Sequence, residues 1–179
     1  MSSTDPLFFD TDCLSAFLWI HEESILAKLY PGRVVIAEQV YAELSNPCVS
    51  HLKARVNLLI GKHQARRESI STGTDVYALY YKLAYSPDKG HAVIGKGEAA
   101  AIALAKEKNG ILASNNLMDI SVYVKEYGLT NMTTGDILKE ALQRSFITEA
   151  EGNALWCNML KRRRKLGYDS FTNFLKAHP

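Results

Sequence analysis

Short apolar runs alternate with segments of helical periodicity along most of the chain. Continuous apolar runs at 7–9, 34–36 and 111–113 predict buried strands, and a weaker run at 129–132 predicts a fourth. Between them, apolar residues recur every three or four positions, which predicts helices over 12–29, 38–44, 52–60, 76–85, 97–108, 117–127 and 133–145. Because strands that alternate with helices pair in parallel, we predict an α/β fold, a three-layer α/β/α sandwich with a parallel central sheet.

The chain after residue 145 shows only helical periodicity. Thr148 and Glu151 match a capping box, which predicts a long helix from there to about residue 165. The chain then ends in a short apolar face, formed by Phe171, Phe174 and Leu175. We therefore predict a domain at 1–145 and a helical C-terminal extension at 146–179, which packs on that domain or on a second copy in a homodimer.

The composition is that of an ordinary globular protein, with 179 residues, 47% of them hydrophobic and 22% charged. No apolar stretch approaches the roughly 18 residues that a membrane span needs. The N-terminus also lacks the basic start of a signal peptide. Three cysteines, Cys13, Cys48 and Cys157, form no CxxC pair, so we expect reduced thiols and a cytoplasmic location.

The net charge is +2, but the charged residues are distributed unevenly along the chain. Residues 1–30 are mainly acidic, residues 44–67 hold basic side chains and no acid, and residues 161–165 are all Lys or Arg. An acidic site beside basic segments suits a nucleic-acid substrate, because cations bind phosphates. Solvated helix faces, and a helix C-terminus for 161–165, are the alternative explanation. The basic residues that we expect to contact substrate are Lys53, Arg55, Arg66 and Arg67.

Acidic side chains follow the predicted strands. Asp10 and Asp12 come after the first strand, Glu43 lies in the helix after the second, and Glu98 opens the alanine-rich helix. Since ligands of open parallel sheets bind beyond the carboxyl ends of the strands, we expect these acids to converge. Converging carboxylates repel one another unless a cation neutralises them, and Mg²⁺ or Mn²⁺ prefers oxygen ligands. Each acid also has an ordinary explanation as a turn, cap or exposed helix residue.

Four segments in this order resemble the PIN-domain family of metal-dependent ribonucleases, which includes the VapC-type toxins. They are residues 7–14, 34–44, 97–105 and 111–116, and the resemblance covers about 7–145. It implies that Asp10, Glu43 and Glu98 bind Mg²⁺ or Mn²⁺ and activate water to cleave RNA. It also implies a small antitoxin protein as partner.

The fourth segment departs from the family, which usually has one or two aspartates where this chain has Asn115 and Asn116. We expect Asp119, three residues after Asn116, or Asp12 to supply the missing charge. The predicted metal ligands are Asp10, Glu43, Glu98, Asp119, Asn116 and Asp12. Ser114 is expected to contact substrate. An active nuclease is the prediction, and a catalytically weak RNA- or antitoxin-binding module is the alternative.

The run Asp10-Thr11-Asp12 also resembles the first motif of haloacid-dehalogenase-type phosphatases. In such an enzyme Asp10 would be the nucleophile and Asp12 the acid/base. The residues before Gly135 make a poor core strand, however, and the phosphatase would leave Glu43 and Glu98 without a role. It stays as the second enzyme alternative.

Overall fold

A parallel sheet forms the centre of the protein, whose structure, a computed structural model, describes residues 4–179. Within that range the sheet has five strands: β1 Leu7–Phe9, β2 Val34–Ala37, β3 Ala65–Glu68, β4 Ile111–Ala113 and β5 Thr130–Met132. Their order is β3-β2-β1-β4-β5, and every pair is parallel. The predicted α/β fold with a parallel central sheet is confirmed.

The three central strands are buried along their whole length. In β1, Leu7 pairs with Val34 on one side and with Ile111 on the other. A strand that is covered on both faces needs apolar residues at every position rather than at alternate ones. This is why the continuous apolar runs in the sequence identify these strands correctly.

Helices cover the sheet and connect its strands. The helices within residues 4–179 are α1 Thr11–Trp19, α2 Ser24–Leu29, α3 Glu38–Glu43, α4 Ser50–Gly61, α5 Asp75–Tyr85, α6 Lys96–Glu107, α7 Leu117–Glu126, α8 Thr134–Gln143, α9 Glu149–Lys161 and α10 Phe171–Ala177. The alanine-rich α6 is the most deeply buried and packs on β1, β2, α3 and α5. None of the helices in this range is long and apolar enough to span a membrane.

The single helix predicted over 12–29 is wrong, because α1 ends at Trp19 and α2 begins at Ser24. Between them His21 adopts a φ of 65°, in the left-handed region. Such a residue cannot continue a right-handed helix. The apolar spacing persists across the break because both helices turn their apolar faces to the same core.

Strand β3 lies in the polar and basic stretch for which no strand is predicted. Its residues are Ala65, Arg66, Arg67 and Glu68, and only Ala65 is buried. Edge strands carry charged residues that discourage pairing with other chains. A strand of this kind lacks the apolar pattern on which the prediction depends.

Aromatic side chains attach the C-terminal helices to the rest of the protein. Trp156 of α9 and Phe171 and Phe174 of α10 are buried, with ring centroids 5.6 to 6.4 Å apart. Two glycines leave space for these rings. A Cβ on Gly152 would lie 2.3 Å from Phe171, and one on Gly135 would lie 2.4 Å from Phe174.

Replacing Gly152 by Ala adds a methyl group that overpacks against the buried Phe171 ring, at a cost of about 1–3 kcal/mol. A gain of about 1 kcal/mol in helix propensity offsets part of this cost, so the free energy of unfolding should fall by up to about 2 kcal/mol. Gly61→Ala at the end of α4 is the matched control, since within residues 4–179 its added Cβ would meet no atom outside its own helix within 4 Å. Urea unfolding of both variants measures the difference, and equal stability would contradict the expected clash.

Candidate active site

An acidic cleft of about 250 Å³ opens beyond the carboxyl ends of the central strands. Asp10 directly follows β1, Glu43 ends α3, and Glu98 lies in the first turn of α6. The residues that line the cleft are Asp10, Thr11, Asp12, Glu43, Gly95, Glu98 and Asn116. The structure therefore brings together the four acids that follow the strands.

Asp10 is completely buried at the N-terminus of α1. Its Oδ1 accepts a hydrogen bond of 2.6 Å from the backbone N–H of Cys13, whereas its buried Oδ2 has no hydrogen-bond partner within residues 4–179. The Ser114 hydroxyl lies close to Asp10 but makes no hydrogen bond of ordinary geometry with Oδ2. Burial raises the pKa of Asp10 to about 7, although this hydroxyl and the Cys13 N–H oppose the shift. A buried carboxylate oxygen without a partner is costly unless a proton or a cation binds there.

Glu43 is fixed by groups from two other helices. Its Oε1 accepts a hydrogen bond of 2.8 Å from the backbone N–H of Gly97 at the start of α6, and its Oε2 accepts one from the Thr11 hydroxyl. A carboxylate is favourable there, because the N-terminus of a helix carries partial positive charge. A Cβ on Gly97 would lie 2.8 Å from both Glu43 Oε2 and Thr11 Oγ1, so the approach requires glycine.

Asn116 bridges two acids in the cleft. Its Nδ2 donates to Glu98 Oε1 at 2.8 Å and to Asp119 Oδ2 at 2.6 Å. Burial raises the pKa of Glu98, while hydrogen bonds from Asn116 and the Gly95 backbone lower it. The amide group thus satisfies two carboxylates that a cation would otherwise neutralise.

The two residues before Asn116 have structural contacts. Asn115 accepts a hydrogen bond from the backbone N–H of Thr134 at 2.8 Å and donates to the Thr134 hydroxyl at 2.9 Å, which ties the end of β4 to α8. Ser114 is buried and lies beside Asp10, not on the surface of the cleft. Of the residues that follow β4, Asn116 is therefore the one that faces the acids.

The acids fit a hard cation by their chemistry. In the described part of the chain, no three acidic, histidine or cysteine side chains have the spacing of a metal site. Thr11, Gly97 and Asn116 hold the acids in their present positions. The unpartnered Oδ2 of Asp10 and the carboxylates of Glu43 and Glu98 are nevertheless the oxygen ligands that Mg²⁺ and Mn²⁺ prefer.

The four basic residues expected to contact substrate do not line the cleft. They contact other groups of the chain: Lys53 the Ser45 hydroxyl, Arg55 the Glu23 carboxylate, Arg66 the Gly32 carbonyl and Arg67 the Glu38 carboxylate. Arg66 in particular bonds near the amino end of β2, away from the edge where the acids lie.

Arg164 contacts an acid at the edge of the site. Its Nη1 lies 3.6 Å from Asp12 Oδ1 and donates to the Ser15 hydroxyl at 3.1 Å. Helix α9 ends at Lys161, and Arg163 has a φ of 58°, so the chain turns within the basic run. Nothing local in the sequence indicates this contact, because Arg164 and Ser15 are 149 residues apart. Sequence reasoning also misses the roles of Thr11 and Gly97, because each contacts Glu43 across a long stretch of chain.

Comparison with known proteins gives one match. A family model described as a PIN domain matches residues 7–177, which includes the C-terminal helices as well as the sheet. No curated protein and no solved structure matches the chain.

Proposed function

The chain belongs to the PIN-domain family, and we propose that it is a metal-dependent ribonuclease whose acidic cleft binds Mg²⁺ or Mn²⁺. PIN domains are generally nucleases that use divalent metals, which supports hydrolysis of phosphodiester bonds. The observation that carries the proposal is the buried Asp10 carboxylate, whose Oδ2 has no hydrogen-bond partner in the described part of the chain, in one cleft with Glu43 and Glu98. Family membership leaves the phosphatase alternative without support.

We assign the roles in the cleft as follows. Asp10, Glu43 and Glu98 would hold the ion, with Asp119, Asn116 and Asp12 as the secondary ligands. A bound dication would activate water and neutralise charge on the phosphate. Burial raises the pKa of Glu98, so its carboxylate is a stronger proton acceptor than that of an exposed glutamate. Gly97 and Thr11 would orient Glu43.

We further propose that the substrate is RNA and that the protein is the cytoplasmic toxin of a toxin–antitoxin pair. The PIN-domain match supports a nucleic-acid substrate. The toxin role depends on the resemblance of the four segments to the VapC-type toxins. A neighbouring gene for a small antitoxin protein, and binding of the two proteins, would support this part of the proposal.

The Asn116 bridge favours a second candidate, a PIN domain that binds RNA or an antitoxin and cuts slowly. The amide adds no negative charge to the cleft and already bonds Glu98 and Asp119. A dication with fewer carboxylate ligands binds more weakly. In this case the protein would retain RNA at metal concentrations that allow no cleavage.

A cleavage assay with single-stranded RNA separates these functions. We expect RNA to be cut in Mn²⁺ and to stay intact in EDTA, and p-nitrophenyl phosphate to stay intact in both. Retention of RNA without cleavage would support the binding module. Hydrolysis of the small ester without cleavage of RNA would contradict the proposed function.

Gly97→Ala tests the position of Glu43 without removing an acid. The added Cβ must displace the Glu43 carboxylate and the Thr11 hydroxyl, which are flexible side-chain ends. Cleavage should therefore fall by up to about a hundredfold, because small misplacements of catalytic groups are costly, while the melting temperature changes little. Gly61→Ala is the control and should retain full activity. Unchanged activity of Gly97→Ala would show that the Glu43 position does not matter.

A further inference from the structure

A second cavity adjoins the acidic cleft and has a volume of about 670 Å³. It lies between the start of α7, the start of α8 and the segment 165–168 that follows α9. Asp12 and Asn116 line both the cavity and the cleft, so the two lie side by side. A group bound in this cavity would therefore lie next to whatever occupies the cleft.

One wall of the cavity is apolar and aromatic. Tyr168 lines it with 36% of its surface exposed, and its ring is held edge-on against Phe174 and His178 at centroid distances of 5.7 and 5.5 Å. Leu117 and Met118 line it as well, and Met118 is 93% exposed. Rigid aromatic rings with exposed faces are the groups on which unpaired bases stack.

The polar lining of the cavity includes two carboxylates that can accept hydrogen bonds from N–H groups. Asp119 and Asp136 both contribute to it. Within residues 4–179, the hydrogen bonds of these two carboxylates involve only their Oδ2 atoms, which leaves each Oδ1 available as an acceptor. Carboxylates repel a phosphate group, but they accept hydrogen bonds from the amino groups of adenine, cytosine or guanine.

Basic side chains lie in the lining of the cavity and at its boundary with the cleft. Lys165 lines the cavity and is exposed, and Arg164 contacts Asp12 at the boundary with the cleft. A nucleotide would therefore place its base in the cavity and its phosphate near the shared boundary, where cations can contact it.

We propose that this cavity binds one base of the RNA substrate, next to the phosphate that is cut, and that it prefers bases with an exocyclic amino group to uracil. The inference rests on the proposed function, because it names the substrate group that the cavity adds to that site. The C-terminal segment thereby takes part in substrate recognition through Tyr168.

NMR of protein labelled with ¹³C in the methionine methyl groups tests base binding in EDTA, where no cleavage occurs. Adenosine and cytidine should shift the Met118 methyl signal through ring currents, and uridine should bind at least about threefold more weakly. The buried Met159 is the internal reference and should not shift. Uncharged nucleosides are the probes, since the carboxylates would repel a phosphate.

Variants of Tyr168 complete the test. Tyr168→Leu should lose most of the Met118 shift and the preference over uridine, whereas Tyr168→Phe should retain both, because it keeps the stacking ring. Tyr81→Ala is the control, since Tyr81 is an exposed tyrosine on α5 outside the cavity. An unshifted Met118 signal with all nucleosides, or an equal shift in Tyr168→Leu, would overturn the proposal. The apolar wall of the cavity would then be a surface for a protein partner.

The NMR experiment and the cleavage assay test the two proposals separately. If the protein cuts RNA in Mn²⁺ but Met118 does not respond to nucleosides, only the base cavity is wrong. If Met118 responds and the dependence on Tyr168 holds, but no RNA is cut, the cavity stands and the nuclease proposal is wrong.

Discussion

Asp10→Asn should reduce Mn²⁺-dependent RNA cleavage by about a hundredfold or more, because changes to the groups that hold a metal commonly cost up to about a hundredfold in affinity or activity even outside the ligands themselves. The asparagine Oδ1 can still accept the hydrogen bond from the Cys13 N–H that caps α1. At the position of the buried Oδ2, which has no hydrogen-bond partner within residues 4–179, an uncharged NH2 group replaces the carboxylate oxygen. The variant should therefore fold normally and lose activity because it no longer holds the metal.

The same substitution should change how stability depends on pH. Asp10 has a pKa of about 7 in the folded protein against an ordinary value of 3.8, so the folded state binds this proton more tightly than the unfolded state. The resulting stabilisation is fully present below pH 3.8 and is lost as the pH rises to about 7. It amounts to about 4 kcal/mol. In EDTA, urea unfolding of the wild type should show this loss relative to Asp10→Asn, which cannot titrate at that position.

Two further variants separate catalysis from folding. Asp10→Ala removes the helix cap and should cost about 1 kcal/mol of stability beyond any effect on activity. Asp75→Asn changes an exposed aspartate in the first turn of α5 and should leave activity and the pH profile unchanged. An active Asp10→Asn protein would show that Asp10 is only a structural cap.

Asn116→Asp should lower the Mn²⁺ concentration needed for cleavage by roughly ten- to hundredfold, the effect usual for groups around a metal. The Asn116 amide donates hydrogen bonds to Glu98 and Asp119. A carboxylate at this position would attract the metal ion by its negative charge, and without the ion it would repel those two acids. The variant should therefore be less stable than the wild type in EDTA and more strongly stabilised by Mn²⁺. Titration of cleavage and of the melting temperature with Mn²⁺ measures both effects.

Asn115→Asp is the matched control, because it adds the same charge one residue earlier, where the side chain contacts Thr134 instead of the acids. Asp119→Ala should raise the Mn²⁺ requirement. If neither Asn116→Asp nor Asp119→Ala alters it, Asp119 does not compensate for the missing aspartate. If only Asn116→Asp cuts RNA, the native protein is a binding module.

The sequence predicts most of the fold because the three central strands are buried on both faces and therefore read as apolar runs. The positions of Asp10, Glu43 and Glu98 in one cleft follow from the rule that sites lie beyond the carboxyl ends of parallel strands. Strand β3 and the break at His21 could not be predicted, because an edge strand lacks the apolar pattern and a left-handed histidine has no local cue.

Long-range contacts within the site also escape sequence reasoning. Gly97 and Glu43 are 54 residues apart, and Arg164 and Ser15 are 149 apart. The need for glycine at position 97 arises from the Glu43 and Thr11 side chains, and Arg164 lies in a run that a helix end explains equally well. Such roles depend on how the elements pack, which periodicity does not specify.

A crystal structure of the protein soaked in Mn²⁺ tests the central claim most directly. The anomalous signal of manganese should appear in the acidic cleft, in contact with Asp10 Oδ2 and the Glu98 carboxylate at about 2.1 Å, and the Asn116 amide should release Glu98. No manganese in the cleft at concentrations that support cleavage, or manganese bound only elsewhere on the protein, would contradict the account.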